Sequence, residues 1–335
     1  MLTQIMLTEI ELELKNQVSR LDKPQTKNYF EMLTYHLGWS GEGAGPAAGG
    51  KRIRPLLVLL TLAAAGDSGT WKSGLPAAAA VELIHNFSLV HDDIQDHSPK
   101  RRGRNTVWVN WGIPQAINAG DGLFILSNLA MLDLHKVFPA ETVMRAADTL
   151  QNTCLDLTRG QYLDMSYEKR VDLGMEDYWP MVTGKTAALL SGCCALGAIL
   201  ASADEHVVDA YRSFGHYLGL AFQVQDDILG IWGNEAMTGK STASDLVEGK
   251  KSLPVLAGLE KKGNFAERWK KGPILQEEVE EIARELAAEG IYSYANDIAI
   301  QLTDLALNNL KAADPAGEAG IELMNLTNQL TGRNS

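Results

Sequence analysis

The sequence predicts an all-α fold with about a dozen helices around one core. Apolar residues recur at helical spacing over segments that are too long for strands, and no comparable alternating series competes with them. These segments are residues 56–65, 77–96, 116–135, 178–201, 205–229 and 277–288. The 335 residues are 45% hydrophobic and 21% charged, which excludes a disordered or collagen-like chain.

Glycine and proline mark the ends of these helices. Gly66 follows the first segment, Pro76 opens the second, and Gly112 with Pro114 precedes the third. We expect an N-terminal helix over residues 1–27. Residues 41–50 contain five glycines and predict a flexible loop, and no change of composition marks a linker. The prediction is therefore a single domain over residues 1–335.

The net charge is -12, from 30 Lys and Arg against 42 Asp and Glu. This balance argues against a nucleic-acid partner, so an anionic ligand needs a local cationic cluster. The three cysteines lack disulfide-framework and zinc-ligand spacing, which indicates a reducing cytoplasm. Residues 1–15 do not resemble a secretory signal. The apolar stretch 186–203 is rich in small residues and is interpreted as a buried core helix, so no transmembrane segment is expected.

One local pattern occurs twice: an Asp pair at the end of an apolar helix. The pairs are Asp92-Asp93 and Asp226-Asp227. On a helix Asp92 and Asp96 lie within about 40° of each other, whereas Asp93 is about 100° away. Two carboxylates on one face beside an apolar run favour a bound cation, and hard oxygen ligands that leave positions open for phosphate suit Mg²⁺. A solvated acidic helix end is the alternative for either pair alone.

Basic side chains cluster near these carboxylates in an otherwise acidic chain. Arginine forks and a helix start both favour phosphate. Any one of these side chains could merely keep the surface soluble, but together they predict a pocket for two phosphate-bearing groups. They are Lys51, Arg52, Arg54, Arg101, Arg102, Lys185, Lys240 and Lys250.

The ordered motifs resemble those of the trans-prenyl diphosphate synthase family over about residues 49–256. The resemblance implies an isoprenoid synthase-type bundle with a central cavity that opens between the two Asp-rich helices, and a homodimer. Its motifs are Gly50-Lys51-Arg52-Ile53-Arg54-Pro55, Asp92 to Asp96, Arg101-Arg102-Gly103, Gly120-Asp121, Gly160-Gln161 with Asp164, Gly184-Lys185-Thr186, Phe222-Gln223 with Asp226-Asp227, and Gly239-Lys240 with Asp245-Leu246 and Lys250.

The resemblance also implies residue roles. Asp92 and Asp96 would bind two Mg²⁺ ions and Asp226 a third, with an allylic diphosphate bound. That diphosphate would contact Arg101, Lys185, Lys240 and Lys250. Isopentenyl diphosphate would contact Lys51, Arg54, His85 and Arg102. The position of His85, two helical turns before Asp92, agrees with this role.

The implied catalysis is electrostatic stabilisation of a leaving diphosphate, in a cavity that excludes water. The double bond of isopentenyl diphosphate attacks the allylic cation, and the departed diphosphate takes the proton. By resemblance, oxygens of Thr186 and Gln223 and the carbonyl of Lys185 would stabilise the cation.

Two positions depart from the family pattern. The second motif usually ends in Asp, but Gly230 stands there, so the partner four residues after Asp226 is absent. We expect weaker binding of the third metal ion without loss of activity. Asn105 replaces a proline that usually follows the arginine pair, and we attach no functional consequence to it.

Two other functions fit parts of the sequence. A class I terpene cyclase shares the fold and the first Asp motif but needs no second diphosphate site, and residues 296–304 match its metal motif only superficially. A non-catalytic regulatory subunit typically loses the first Asp motif and carries CxxxC, whereas this chain retains the first and lacks the second.

Residues just before the first Asp motif predict the product length. Ser88 is small and lies on the carboxylate face, and Phe87 lies about 140° from Asp92, on the flank. The family treats an aromatic residue at this position as the floor of the cavity. The pattern therefore resembles short-chain synthases and predicts a C20 product, geranylgeranyl diphosphate, with C15 farnesyl diphosphate next.

Overall fold

A computed structural model describes residues 1–66, 68–168, 170–233 and 244–332 of the chain. The prediction of an all-α fold is confirmed. The α-helices are α1 (Leu2–Val18), α2 (Lys27–His36), α3 (Pro46–Gly49), α4 (Ile53–Ala65), α5 (Leu75–Gln95), α6 (Val107–Trp111), α7 (Ile113–Asp133), α8 (Ala140–Tyr167), α9 (Met175–Val182), α10 (Ala188–Leu200), α11 (Glu205–Trp232), α12 (Ser244–Glu248), α13 (Leu253–Lys261), α14 (Asn264–Trp269), α15 (Val279–Ala288), α16 (Ile291–Ala312) and α17 (Gly317–Leu330).

Shorter helical turns connect several of these helices. The 3₁₀ turns are Ser19–Leu21, Pro24–Thr26, Trp71–Gly74, Leu134–Lys136 and Gln276–Glu278, and a π-helical segment covers Thr183–Ala187. In the described ranges, the β-structure is one antiparallel hairpin of two-residue strands, β1 (Lys100–Arg101) and β2 (Arg104–Asn105).

The chain forms two compact units. The first consists of Met1–Asn152, Gly192–Tyr211 and Ala313–Leu323. In this unit α5 packs along α7 and also contacts α4 and α1. Helix α4 is almost entirely apolar, and its residues 55–64 are buried, because an apolar helix without a polar face is stable only inside a core. This packing fixes the first Asp motif at the end of α5.

The second unit consists of Thr153–Ser191, Arg212–Ala312 and Met324–Ser335. Two clusters of buried apolar side chains form its core. Tyr178, Val224 and Leu253 belong to the first cluster, and Phe265 and Leu286 to the second. The first cluster is built on α11 and therefore positions the second Asp motif at its end.

The helix predicted over residues 1–27 ends earlier, at Val18. A 3₁₀ turn follows, and the backbone of Asp22 then leaves the helical region with φ -75° and ψ 86°. Pro24 explains why the helix does not continue to residue 27: proline disfavours a helical conformation in the residue before it, and Lys23 is extended, with φ -127° and ψ 149°. The other predicted helices form, with differences of a few residues at their ends.

The Gly-rich segment 41–50 differs from the flexible loop that the sequence predicts. Pro46–Gly49 forms the short helix α3, and Arg104 holds the preceding turn. The Arg104 guanidinium donates to the backbone carbonyls of Tyr35, Ser40 and Glu42 at 2.7, 2.7 and 2.8 Å, and it lies 3.9 Å above the Tyr35 ring. One arginine therefore anchors the segment to the hairpin.

One continuous helical stretch, Met175–Leu200, is long and apolar enough to cross a membrane. In its most apolar window 72% of the residues are buried inside the protein. This burial agrees with the core helix that the sequence predicts for residues 186–203.

Candidate active site

The first Asp motif ends helix α5, and its three carboxylates lie on two different faces. Asp93 is 2% exposed, Asp92 is half-buried, and Asp96 is exposed. The N–H of Asp96 donates to the carbonyl of Asp92 at 2.8 Å, so helical spacing persists to the end of the motif. Asp92 and Asp96 thus share the outward face, and Asp93 points into the protein.

Arg101 compensates the buried charge of Asp93. Its Nε and Nη2 both lie 2.8 Å from Oδ1 of Asp93. Burial raises the pKa of Asp93 to about 6, although Arg101 opposes this shift. The turn of the hairpin, Arg102-Gly103, has φ values of 51° and 77°, as type I′ turns require, and brings Arg101 back towards α5.

Arg52, in the middle of the first basic motif, has a structural role. Its side chain is 3% exposed, and it donates to Glu11 at 2.6 Å and to Glu82 at 2.7 Å. Burial alone would lower the pKa of Arg52, but Glu82 and Glu11 outweigh burial and raise it. Lys51, by contrast, is exposed. Within the basic motif, Arg52 therefore stabilises the fold, whereas Lys51 is accessible to a ligand.

Arg54 and His85 form a pair of hydrogen-bond donors. Nη1 of Arg54 lies 3.3 Å from Nε2 of His85, and because an arginine cannot accept, Nε2 is the acceptor. Burial, followed by the charges of Arg54, Arg102 and Arg101, lowers the pKa of His85 well below 6.5. His85 is therefore neutral, with its remaining proton on Nδ1. Nε of Arg54 is buried and has no hydrogen-bond partner in the described ranges.

Arg102 lies against the Gly-rich segment. Its Nη1 donates to the carbonyl of Ala48 at 2.8 Å, and a Cβ at Gly50 would come within 2.6 Å of its Nη2. Glycine at position 50 therefore makes room for the guanidinium. The structure brings Arg101, Arg102 and His36 together around one narrow pocket.

The two residues predicted to set product length lie on α5, before the Asp motif. Phe87 is partly buried, and its ring contacts those of Phe124 and His91 at centroid distances of 5.2 and 5.0 Å. The Ser88 hydroxyl donates to the carbonyl of His85 at 2.8 Å. Phe87 therefore lies on the flank that faces α7, as the helical angle predicts.

The second Asp motif shows the same division between an outward and a buried carboxylate. Asp226 is exposed, whereas Asp227 is 1% exposed. Asp227 accepts from the hydroxyl of Tyr178 and the amide of Gln223, both at 2.8 Å, and from the backbone N–H of Leu253 at 2.9 Å. Burial raises the pKa of Asp227, and these partners together with Lys250 oppose the rise.

Thr186 and Gln223 extend this network. The hydroxyl of Thr186 donates to Oε1 of Gln223 at 2.7 Å, and Gln223 donates in turn to Asp227. The hydrogen of the Thr186 hydroxyl is thus committed, and its oxygen lone pairs point elsewhere. The two side chains that the resemblance assigns to cation stabilisation are therefore in contact.

Lys185 lies in the π-helical segment and forms an ion pair with Asp164 of α8. Two glycines allow the backbones of α8 and the π-helical segment to lie close together. A Cβ at Gly160 would come within 2.0 Å of the backbone nitrogen of Lys185, and one at Gly184 within 2.7 Å of the Asp156 carbonyl oxygen. Helical periodicity gives no sign of the π segment, although such segments are frequent at functional sites.

Lys250 lies among carboxylates. Its Nζ is 3.8 Å from Oδ1 of Asp227 and 3.5 Å from Oδ2 of Asp245. Burial alone would lower the pKa of Lys250, but Asp227 and Asp245, followed by Asp226, raise it. Lys240, the other lysine predicted in this region, lies outside the described residues.

Sequence reasoning missed two buried groups that hold the site residues. Glu82 anchors Arg52, and an acidic residue inside the apolar run of α5 could have signalled a buried cation. Tyr178 binds Asp227 from 49 positions away, and an aromatic residue in an apolar helix gives no such signal.

The donor chemistry of both motifs fits Mg²⁺. No group of three or more His, Cys, Asp or Glu side chains arranged for a metal occurs in the described ranges. Mg²⁺ does not need one, because it keeps several waters and takes one or two carboxylates together with substrate phosphates. The outward carboxylates of Asp92 and Asp96, and that of Asp226, suit such a coordination.

Comparison with known proteins shows the family of this chain. The polyprenyl synthetase family model matches residues 45–286. Geranylgeranyl diphosphate synthase from Mycobacterium tuberculosis is 45% identical over 237 residues, which are 70% of this chain and 66% of that protein. The chain thus spans slightly less than two thirds of the length of this relative.

Solved structures share the fold over almost the whole chain. The polyprenyl synthetase from Streptomyces coelicolor A3(2) has a TM-score of 0.88 and 36% identity, with 98% of both chains covered. A geranylgeranyl pyrophosphate synthase from Corynebacterium glutamicum, complexed with isoprenyl diphosphate and magnesium, has a TM-score of 0.85 and 26% identity, with 99% of this chain and 98% of that chain covered. Because the family model matches more than half of the sequence, this chain belongs to the polyprenyl synthetase family.

Proposed function

We propose that the protein is a trans-prenyltransferase that condenses isopentenyl diphosphate head-to-tail with allylic diphosphates. The product is a short-chain all-trans prenyl diphosphate, geranylgeranyl diphosphate first and farnesyl diphosphate second. The name of the Mycobacterium tuberculosis relative supports this product class.

The observation that carries the proposal is the Arg54–His85 pair beside the first Asp motif. Both side chains present N–H donors, and the buried Nε of Arg54 has no partner in the described ranges. A buried donor without an acceptor is unfavourable, so the pair is suited to an anion. Together with Lys51 and Arg102, it binds the diphosphate of isopentenyl diphosphate in our proposal. An enzyme that uses only an allylic substrate does not need this second anion site.

The outward carboxylates have a different task. Asp92 and Asp96 bind two Mg²⁺ ions in our proposal, and Asp226 binds a third. When bound, Mg²⁺ supplies Lewis-acid stabilisation of the leaving diphosphate. The magnesium in the Corynebacterium glutamicum relative supports this metal.

Cationic side chains take the remaining oxygens of the allylic diphosphate. Carboxylates orient Lys185 and Lys250, and each ammonium group has three donors, so N–H groups are available for the substrate. Lys240 shares this role in our proposal. Arg101 also contributes, through the donors that do not contact Asp93.

The reaction separates charge as the allylic C–O bond breaks. Lone pairs of Thr186, oriented by Gln223, and the backbone carbonyl of Lys185 stabilise the allylic cation in our proposal. The double bond of isopentenyl diphosphate then attacks the cation. The departed diphosphate accepts the proton that is lost, so the chain needs no side-chain base.

The assembly and location of the protein are also proposals. We propose a cytoplasmic homodimer with no nucleic-acid partner. The net charge of -12 supports the absence of a nucleic-acid partner, and the three buried cysteines, which form no disulfide, support the cytoplasmic location. The homodimer rests on the family resemblance.

Incubation of the purified protein with isopentenyl diphosphate, each allylic diphosphate and Mg²⁺ tests the function. We expect isopentenyl diphosphate to be consumed and a prenyl diphosphate to form. A cyclised product from an allylic substrate alone would identify a terpene cyclase instead. Inactivity that only a second prenyl synthase chain relieves would identify a regulatory subunit.

A further inference from the structure

Helices α5 and α7 meet in two side-chain layers that are one helical turn apart. In one layer Phe87 of α5 packs against Phe124 of α7, with ring centroids 5.2 Å apart. In the other layer His91 of α5 lies over Gly120 of α7, where a Cβ would come within 2.2 Å of Nε2 and 2.4 Å of Cδ2 of the imidazole ring. The layers are four residues apart on both helices, so one register of the two antiparallel helices forms both of them.

Gly120 makes room for the imidazole ring. Any side chain at position 120 would collide with His91, so only glycine lets the ring lie against the backbone of α7. Nε2 of His91 lies 3.3 Å from the carbonyl oxygen of Ile117, and because a carbonyl only accepts, Nε2 donates. Asp121 is exposed, and its Oδ1 lies 3.8 Å from the same nitrogen. The Gly120-Asp121 motif, which the proposed diphosphate sites do not use, thus fixes the ring of His91.

The fixed ring of His91 in turn confines Phe87. The two residues are four apart on α5, and their rings meet edge to face, with centroids 5.0 Å apart and planes 74° apart. Phe87 therefore has one aromatic neighbour on its own helix and another, Phe124, on α7. If the Phe87 ring turns out of its place, it loses at least one of these contacts, so it resists displacement by a growing prenyl tail.

We propose that His91, locked by Gly120, is a positioning residue that helps to set the product length through Phe87. This inference rests on the proposed function and goes beyond it, because the resemblance assigns product length to Phe87 and Ser88. Without the lock Phe87 keeps one aromatic neighbour, and a longer tail displaces its ring more easily. The loss of one ring pair corresponds to about a 2–10-fold rise in the ratio of longer products to the main wild-type product.

His91→Ala tests the proposal, with the purified protein, isopentenyl diphosphate, an allylic diphosphate and Mg²⁺. We expect the ratio of longer products to the main wild-type product to rise by about 2–10-fold, whatever the change in rate. Gly120→Ala should raise the same ratio, because the new Cβ either turns the imidazole away or parts the two helices, and both release Phe87. Chromatography of the dephosphorylated products measures the ratio.

Gly122→Ala is the matched control, since it is the same substitution on the same helix and causes a similar collision on another face. A Cβ at Gly122 would lie 2.0 Å from the hydroxyl oxygen of Tyr29 of α2. This variant should lower stability, as Gly120→Ala does, and leave the product ratio unchanged. An equal rise of the ratio in both variants would show that any disturbance of α7 lengthens the product, and would overturn the proposal.

A double variant separates the His91–Gly120 contact from a general loosening of the helices. In the His91→Ala background the imidazole is absent, so Gly120→Ala should have no further effect on the product ratio. The double variant also lacks the collision at position 120, so it provides the measurement even if Gly120→Ala alone does not fold. A further rise of the ratio in the double variant, or wild-type products in His91→Ala, would contradict the proposal.

The wild-type product keeps the two proposals apart. If the wild type makes a prenyl diphosphate and His91→Ala makes the same one in the same ratio, the inference about His91 fails and the proposed function stands. If the wild type consumes no isopentenyl diphosphate, the proposed function fails, and the inference about product length fails with it.

Discussion

The two Asp pairs have the same local pattern and are stabilised in different ways. In each pair the first carboxylate faces outward, and the second, Asp93 or Asp227, is almost completely buried. Asp93 forms an ion pair with one arginine, whereas Asp227 has three hydrogen bonds and a nearby lysine. Adjacent residues on a helix point about 100° apart, so at the edge of a buried face one member of an Asp pair can point outward while the other points into the core.

This comparison separates two roles that one motif combines. The outward Asp is available to a ligand, and the buried Asp fixes the end of the helix through its partners. Burial raises the pKa of both Asp93 and Asp227, so each depends on its partners to remain charged. Substitution of an outward Asp should therefore chiefly affect catalysis, and substitution of a buried Asp should chiefly affect stability.

The largest expected effect is on turnover at the outward carboxylates. Asp92→Ala or Asp96→Ala should lower kcat at least about a thousandfold, because charge stabilisation of the leaving group is lost. Asp93→Ala should lower it less. Steady-state kinetics at saturating substrate measure the effect. If Asp93 were the most sensitive of the three, the assignment of outward and buried roles would be wrong.

The second effect is on stability at the buried carboxylates. Asp227→Ala leaves Tyr178, Gln223 and Leu253 without their acceptor. It also removes one of the two carboxylates beside Lys250 and should lower the free energy of unfolding by about 3–5 kcal/mol, as when one member of a buried pair is removed. Asp93→Ala, with one arginine partner, should cost less. Urea denaturation of the metal-free variants compares the two.

Tyr178→Phe provides the control for this comparison. It removes one hydrogen bond to Asp227 and should cost about 1 kcal/mol. Equal losses for Asp227→Ala and Asp93→Ala would show that the number of partners does not determine the difference.

The sequence predicts contacts between residues that are close along the chain, but not those between residues that are far apart. The outward stripe of Asp92 and Asp96 follows from helical angles alone. The partners of Asp227 do not, because Tyr178 and Leu253 lie 49 and 26 positions away, and only tertiary packing brings them there. The close packing of the Asp245 carboxylate on Gly230 is of the same kind, because only the folded chain brings the two residues together.

The arginine pair provides a third test, in which the expected effect is on KM. Arg102→Ala should chiefly raise KM for isopentenyl diphosphate, because the residue is exposed and contacts the Gly-rich segment that directly precedes Lys51. Arg101→Ala should impair the allylic side and also destabilise the protein, since Asp93 loses its partner. Kinetics with each substrate varied in turn, and thermal unfolding, measure both. The opposite KM pattern would exchange the two assignments.

A smaller effect is expected on the pH dependence of stability, through His36 in the first unit. Burial, followed by the charges of Arg101, Arg102 and Arg52, lowers the pKa of His36 to about 3. A depressed pKa means that the stability contribution is present above the unfolded value of about 6.5 and is lost as the pH falls towards 3. Between the two pKa values, the free energy of unfolding changes with pH by at most about 1.4 kcal/mol per pH unit through this group.

His36→Gln should flatten this slope, measured by urea denaturation between the two pKa values. His216, in the second unit, is the matched comparison, because burial lowers its pKa without neighbouring cations. His216→Gln should change the slope less. If both variants changed it equally, the arginines around His36 would not be the cause.

The smallest effect on rate should accompany a change of product. Phe87 packs on Phe124 of α7, so removal of either ring opens space beside α5 before the Asp motif. Phe87→Ala should lengthen the product, and Phe124→Ala should act in the same direction. Ser88→Phe should shorten it, since a large side chain then stands on the carboxylate face. Ile125→Ala is the control, because this side chain is 55% exposed next to Phe124. Chromatography of the dephosphorylated products measures the length, and a wild-type product of C30 or more, or no lengthening in Phe87→Ala, would place the floor on another helix.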